Sequence, residues 1–153
     1  MKRIGVISDT HGLLRPEAIE ALQGSDFIVH AGDIGKQNII DALSEIAPVT
    51  AVRGNIDKGE FEDQFPNNEV LKVEESYIYI LHIKEDLNLD PVAAEFQVVV
   101  TGHTHNPKIE KADGVLYLNP GSAGPRRFSL PTTIAILEVK GADVSAEIIE
   151  LSV

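Results

Sequence analysis

Ser8-Asp9-Thr10-His11, Ala31-Gly32-Asp33, Arg53-Gly54-Asn55-Ile56-Asp57, His82 and Gly102-His103-Thr104-His105 follow one another along a 153-residue chain. Each is a short group of carboxylate, amide or imidazole donors, and most sit just after an apolar, strand-like run. Singly, each has an ordinary reading: Asp9 as a turn or helix cap, Asp33 as a loop acid, Asn55 as a turn residue. His82 shares strand parity with Ile78 and Ile80, so by itself it reads as a core histidine. The set reads differently, because four of the five histidines in the chain belong to it. Asp9, His11, Asp33, Asn55, His82, His103 and His105 together supply enough donors for two divalent ions sharing one carboxylate. If they converge, the chemistry is metal-assisted hydrolysis, in which bound ions lower the pKa of water and polarise the bond under attack.

Spacing supports convergence. Donors at i and i+2, as in Asp9/His11 and His103/His105, point to the same side of an extended segment, about 6.5–7 Å apart at the backbone. Asp33 follows Gly32, a residue that lets backbone approach a ligand. Asp9, Asp33 and Asn55 are expected at the strand ends of a parallel sheet, where sites gather. His30 reads equally well as a buried strand residue or as a group orienting a ligand through a hydrogen bond. Asn119-Pro120-Gly121-Ser122 reads first as a Pro-Gly turn. In the alternative it walls a pocket, with Arg126 or Arg127 reaching a phosphate and Arg126 preferred.

The elements that must position these groups begin with strands over Lys2–Ser8, Asp26–Ala31 and Val49–Val52. Helices are expected between them, over Arg15–Gln23, with Pro16 in its first turn, and over Lys36–Ala47. This β-α-β-α-β opening predicts a parallel sheet with right-handed crossovers. Further on, Glu69–Glu74 and Tyr77–His82 flank a turn at Glu75-Ser76, and Pro91–Glu95 is a short helix at most. After a strand over Phe96–Thr101, Pro107–Lys111 and Val115–Asn119 flank Ala112-Asp113-Gly114. Thr133–Lys140 and Val144–Leu151 flank Gly141-Ala142-Asp143. The expected architecture is α/β: two mixed sheets face to face with helices outside, a four-layer α/β/β/α sandwich forming a single domain over residues 1–153. Asn55–Asn68 is the longest stretch without a clear element.

Bulk properties narrow the function. At 43% hydrophobic residues the chain can bury a core, and no apolar run approaches the ~20 residues of a membrane span. Without cysteine, thiolate metal sites are excluded, and a cytoplasmic protein is expected. The formal charge of −11 disfavours long nucleic acid and anionic membrane as partners. A small phosphate ester remains compatible, since two divalent ions outweigh Asp9, Asp33 and a hydroxide locally.

The order D-x-H, G-D, G-N, H, G-H-x-H resembles the calcineurin-like metallophosphoesterase superfamily. The G-N-x-D form and the closing N-P-G-S segment are similar to its small single-domain phosphodiesterase branch. The resemblance spans Lys2 to about Leu151 and implies the same sandwich. It also implies that Asp9, His11 and His105 hold one ion, that Asp33 bridges, and that Asn55, His82 and His103 complete the second. Asp33, Asn55 and His103 then form the catalytic set, with attack on phosphorus by a metal-bridging hydroxide. The implied cofactors are two divalent ions, manganese first, with nickel, iron or zinc as alternatives. The implied substrate is a small phosphodiester, nucleotides among them, and a homodimer is allowed.

Three departures stand out. Ile56 occupies the place where many larger members carry a histidine that moves a proton. Ile83-Lys84-Glu85-Asp86 follows His82 where glycine is usual, and Ala123-Gly124 makes a small link to Pro125-Arg126. Asp57 keeps the acidic position of its motif and is expected to orient the loop around Asn55. The rival reading is a weakly active or inactive scaffold or binding module of the same fold, as in a retromer subunit of eukaryotes.

Overall fold

The computed structural model describes residues 1–59 and 63–153. Short buried apolar runs build the central strands and more polar, exposed segments the edges, and these form two five-stranded mixed sheets. The first half of the chain supplies β1 (Lys2–Ile7), α1 (Pro16–Leu22), β2 (Phe27–His30), α2 (Gln37–Ser44) and β3 (Val49–Ala51). Then follow β4 (Asn68–Val73), β5 (Ser76–Leu81), β6 (Val98–Val100), β7 (Lys108–Ala112), β8 (Val115–Asn119), β9 (Thr133–Lys140) and β10 (Asp143–Glu150). One sheet runs β10-β9-β1-β2-β3, the other β4-β5-β6-β8-β7. The expected parallel β1, β2 and β3 are present, as are the antiparallel hairpins of the second half.

The alternation of side chains sorts the core into layers. Ile4 and Val6 of β1, Val29 of β2, Ile78 and Ile80 of β5 and Leu137 of β9 fill the space between the sheets. The other face of the first sheet buries Ile7, Ile28 and Ile136 against Ala18 and Leu22 of α1 and Ile39, Ile40 and Leu43 of α2. Pro16 opens α1 with a φ already suited to the helix, and Gly24 beyond its end takes φ +84°. On the outside of the second sheet, Tyr79, Leu81 and Val99 are covered by Leu87, Leu89 and Phe96. That fourth layer is thin, because Lys84–Asp86 forms only a 3₁₀ turn and residues 91–95 form turns. Among the described residues, no helix is long and apolar enough to cross a membrane.

Each of the three hairpin turns differs from expectation by one residue: Ala112 pairs with Val115, which leaves Asp113-Gly114 as the β7–β8 turn. Ser76 pairs with Val73, so the β4–β5 turn is Glu74-Glu75, with Glu74 at φ 52°, and not Glu75-Ser76. Asp143 pairs with Lys140, which leaves Gly141-Ala142 as the turn. Two-residue hairpins favour such positive φ because it matches the strand twist. Of the stretch Asn55–Asn68, residues 60–62 lie outside the described residues.

Gly5 shows how tightly the helix layer is pressed onto the sheet. A Cβ there would overlap the Leu22 side chain of α1. Gly5→Val should therefore destabilise the fold by about 1–3 kcal/mol, as overpacked cores do, read as a lowered urea midpoint at unchanged slope.

Candidate metal centre

The register of the strands brings the donor groups to one end of the molecule. Ile7 of β1 pairs with His30 of β2, which pairs with Ala51 of β3, so three parallel strands finish side by side. Asp9, Asp33 and Asn55 follow those ends. In the other sheet Ile80 aligns with Val100 and Val100 with Leu118, so the segments carrying His82, Gly102–His105 and Asn119 leave at matching levels. Asp9 N–H donates to the Gly32 carbonyl at 3.0 Å, and Gly102 N–H to the His82 carbonyl at 2.9 Å. Parallel pairing is thus prolonged into the loops.

Two carboxylates form the centre. Asp9 is fully buried; its Oδ2 accepts from the Ser8 hydroxyl at 2.7 Å and from His103 N–H at 3.1 Å. Its Oδ1 has no hydrogen-bond partner and faces His105 Nε2 at 3.4 Å, His11 Nε2 at 3.8 Å and His82 Nε2 at 3.9 Å. Asp33 repeats the pattern. Its Oδ1 accepts from Ile56 N–H at 3.1 Å, while Oδ2 lies 3.4 Å from His11 Nε2 and 3.3 Å from His82 Nε2. Asp9, His11 and His105 make one group with ligand atoms close enough for a single ion, and Asp9, Asp33 and His82 make another. His82 Nδ1 lies 2.7 Å from the Ala31 carbonyl, which takes its proton and leaves Nε2 free toward the carboxylates. The strand parity of His82 therefore brings it into the buried face and to the site at once.

The backbone achieves this by a route the sequence did not suggest. Asp9, His11, Asp33, His103 and His105 have φ of 55°, 47°, 57°, 72° and 63°. The i, i+2 pairs therefore do not share one side of an extended segment; each donor sits on a left-handed residue that turns it inward. Such residues cost about 1 kcal/mol or more each and persist only where surroundings over-determine them. Close approach supplies that constraint. A Cβ on Gly102 would overlap Ser8 Oγ, and one on Gly54 would overlap Asp33.

A second set of side chains locks these loops. His30 is fully buried; its Nδ1 accepts from Gly32 N–H at 3.1 Å, which leaves Nε2–H to face the Thr10 hydroxyl at 3.0 Å. Thr10 in turn donates to the Ile34 carbonyl at 2.9 Å. Burial pushes the His30 imidazole down to about 4, so at neutral pH it is an uncharged strut between the Asp9 and Asp33 loops. Asp57 is buried and accepts from Ile34 N–H at 3.0 Å, Gly35 N–H at 3.1 Å and Gly54 N–H at 2.9 Å. It orients the Asn55 loop as expected and also grips the Asp33 loop. Asn119 and Ser122, read from sequence as parts of a turn, act here as well. Asn119 Nδ2 donates to the Gly102 carbonyl at 3.0 Å and the Thr104 hydroxyl at 3.1 Å, and Ser122 donates to the Asp9 carbonyl at 3.0 Å. An asparagine ahead of Pro-Gly is the only sequence signal for this role.

Other positions lie at the rim or away from it. His103 is exposed, with its ring 5.3 Å from that of His82 between centroids, and its ring stands outside both donor groups. Ile56 is 43% exposed beside Asn55 and contributes its backbone N–H. Arg126 does not reach toward the centre: its Nε donates to the Leu130 carbonyl, and it borders a depression with Thr132 and Glu150. Arg127, the alternative, is exposed on the same loop.

These residues fit divalent ions. Asp9 Oδ1 and His11 Nε2 are buried lone-pair carriers left unsatisfied by the protein, a costly arrangement unless a cation is the intended partner. Asn55 joins them: with its NH₂ inward it donates to His82 Nε2 at 3.0 Å and to the Asp33 oxygens at 3.2 and 3.3 Å, and turned over it would offer its oxygen to a cation. Burial alone would raise Asp9 and Asp33. The His105 and His11 rings and the Ser8 hydroxyl hold Asp9 well below the usual carboxylate range, and His82 and the Ile56 N–H lower Asp33. Asp9 raises His11, while at His82 the attraction of Asp33 and Asp9 outweighs the lowering by burial.

The sign of the pH effect follows. Raised imidazoles keep their protons to higher pH, ligation requires the neutral ring, and metal binding must expel those protons. Manganese titrated calorimetrically near pH 6.5, in buffers of differing ionisation enthalpy, should release about one proton or more per chain. Affinity should climb with pH and level off above the raised values. Binding without proton release would contradict the geometry.

Comparison with known proteins agrees. The family model described as the calcineurin-like phosphoesterase superfamily domain matches residues 1–142. A probable metallophosphoesterase of Methanothermobacter thermautotrophicus is 32% identical over 158 residues, covering 95% of this chain and 91% of that one. The phosphodiesterase YfcE of Escherichia coli K12 is 29% identical over 164 residues, covering 90% and 88%. In structure, wild-type Vps29 of Entamoeba histolytica complexed with Zn²⁺ superimposes with a TM-score of 0.75 at 22% identity, covering 97% of this chain and 98% of that one; this likeness speaks for the fold. A divalent-cation donor set at strand ends of a two-sheet sandwich, with a family model matched along most of its length, makes this chain a member of the calcineurin-like phosphoesterase superfamily.

Proposed function

We propose that the chain is a two-metal phosphodiesterase acting on small phosphodiesters, with manganese as first choice and nickel, iron or zinc as alternatives. The observation that carries the reading is the pair of buried, inward carboxylate oxygens that each face more than one imidazole, Asp9 Oδ1 without any hydrogen-bond partner in the protein. Asp9, His11 and His105 would hold one cation and Asn55 and His82 the other. Asp33 would bridge, because its Oδ2 is nearly equidistant from His11 and His82. The ions supply a water of lowered pKa and charge stabilisation at phosphorus. The chain's residues do the rest: His103, exposed at the rim, faces the approaching ester or completes the second cation's shell. The buried struts His30 and Asp57 hold the donors at fixed separation. The hydrolase is favoured over a scaffold of the same fold because the relatives matched along most of their length are phosphoesterases by name.

Ile56 shapes the substrate range. It cannot give a proton to a departing alkoxide, and general acids contribute about 10²–10⁴-fold. Aryl esters, whose leaving groups need little protonation, should be cleaved far faster than alkyl esters. Manganese-loaded protein should hydrolyse bis(p-nitrophenyl) phosphate, Asp33→Ala should fall to the rate of free metal, and His103→Ala should lose about 10²-fold or more. Across aryl esters of rising leaving-group pKa, kcat/KM should drop steeply, and Ile56→His should flatten the slope. Absence of turnover above metal in buffer would dismiss the enzyme.

A further inference from the structure

Beside the metal centre lies a cleft of about 420 Å³, within the size range of small-molecule sites. Gly54, Asn55 and His82 border one end, so it opens directly from the second donor group. Its floor includes Tyr79 and Leu81 of β5. The Tyr79 ring is fixed by stacking on Phe96, centroids 5.1 Å apart and planes 11° from parallel. Around the floor stand Asn67, Asn68 and Asn88. Asn68 pairs with Leu81 across the β4–β5 ladder, which places both on one face. The three side-chain amides make no hydrogen bond to other described residues.

From this lining we infer that the cleft holds a nucleoside, as the arm of the phosphodiester that stays on phosphorus. The inference rests on the phosphodiesterase reading above. An apolar floor with amides around its edge matches a flat heterocycle, whose faces are apolar and whose edges alternate donors and acceptors. Asparagine offers both a donor and an acceptor to such an edge. The lining carries charge of both signs, the Arg53 guanidinium, whose Nη1 donates to the Phe65 carbonyl, and the Asp86 carboxylate. The lining therefore suits a neutral arm, and a second phosphate would meet Asp86. Ile56 settles which arm stays: with no proton donor beside Asn55, a nucleoside alkoxide is a poor leaving group, so the more acidic alcohol departs. Water's oxygen bonds to phosphorus, the P–O bond to that alcohol breaks, and a nucleoside monophosphate and the free alcohol result.

The test compares two esters with one leaving group, p-nitrophenyl thymidine 5′-phosphate and methyl p-nitrophenyl phosphate, on the manganese-loaded enzyme. The nucleoside ester should be preferred roughly tenfold or more in kcat/KM, mainly through KM, as expected for two or three added hydrogen bonds. N67A/N88A should bring that preference close to one. Equal kcat/KM for the two esters, or a preference untouched by N67A/N88A, would overturn the inference while leaving the phosphodiesterase intact. If neither ester turned over, the phosphodiesterase reading would fall, and a titration of ¹⁵N-labelled wild-type protein with thymidine 5′-monophosphate would decide the cleft alone. Shifts at the Asn67, Asn68 and Asn88 side-chain amides uphold it, and unmoved amides refute it.

Discussion

Everything at this site depends on two buried carboxylates that each turn one oxygen toward a ring of imidazoles. The outer oxygens of Asp9 and Asp33 take hydrogen bonds from Ser8, His103 N–H and Ile56 N–H, which fix the plane of each carboxyl group. The inner oxygens face imidazole nitrogens at 3.3–3.9 Å. Two like charges held this way in a buried place repel each other, and only nearby positive charge makes the arrangement tolerable. The raised His11 and His82 imidazoles supply part of it by keeping their protons to higher pH, and divalent cations bound there would replace those protons. Acidity, imidazole basicity and metal affinity are therefore one coupled property of the cluster.

That cluster explains much of the architecture around it. The first sheet aligns the ends of β1, β2 and β3, and the second aligns β5, β6 and β8. Loops from both sheets can then meet without a long connection. Left-handed backbone at five donor residues turns the side chains inward at a local energetic cost. Networks through His30, Asp57, Asn119 and Ser122 offset that cost with hydrogen bonds made away from the ligand face. The result is a rigid first layer on a rigid support, the arrangement that metal sites require to keep donor separation fixed.

The elements were largely legible because buried parallel strands leave dense apolar runs and because turn residues mark the hairpins. The donor set was legible because its residues are chemically conspicuous. What the sequence concealed was conformation and long-range pairing. An i, i+2 spacing is compatible with extended backbone, and nothing in Asp9-Thr10-His11 announces left-handed φ. Asn119 looks like any residue ahead of Pro-Gly until its amide is seen spanning Gly102 and Thr104. Nothing in the residue type of Arg126 announces that it bonds the Leu130 carbonyl, which the path of the loop decides. His30 shows a related limit: whether a strand histidine packs or orients depends on a neighbour, Thr10, that lies 20 residues away.

The central claim is that one centre, anchored on Asp9 and Asp33, binds two cations. It is tested most directly by anomalous diffraction from manganese-soaked crystals collected at the manganese edge. The account predicts two peaks about 3.5–4 Å apart, one against Asp9, His11 and His105, the other against Asn55 and His82, with Asp33 between them. A single peak, or none at a manganese concentration that supports turnover, would contradict it.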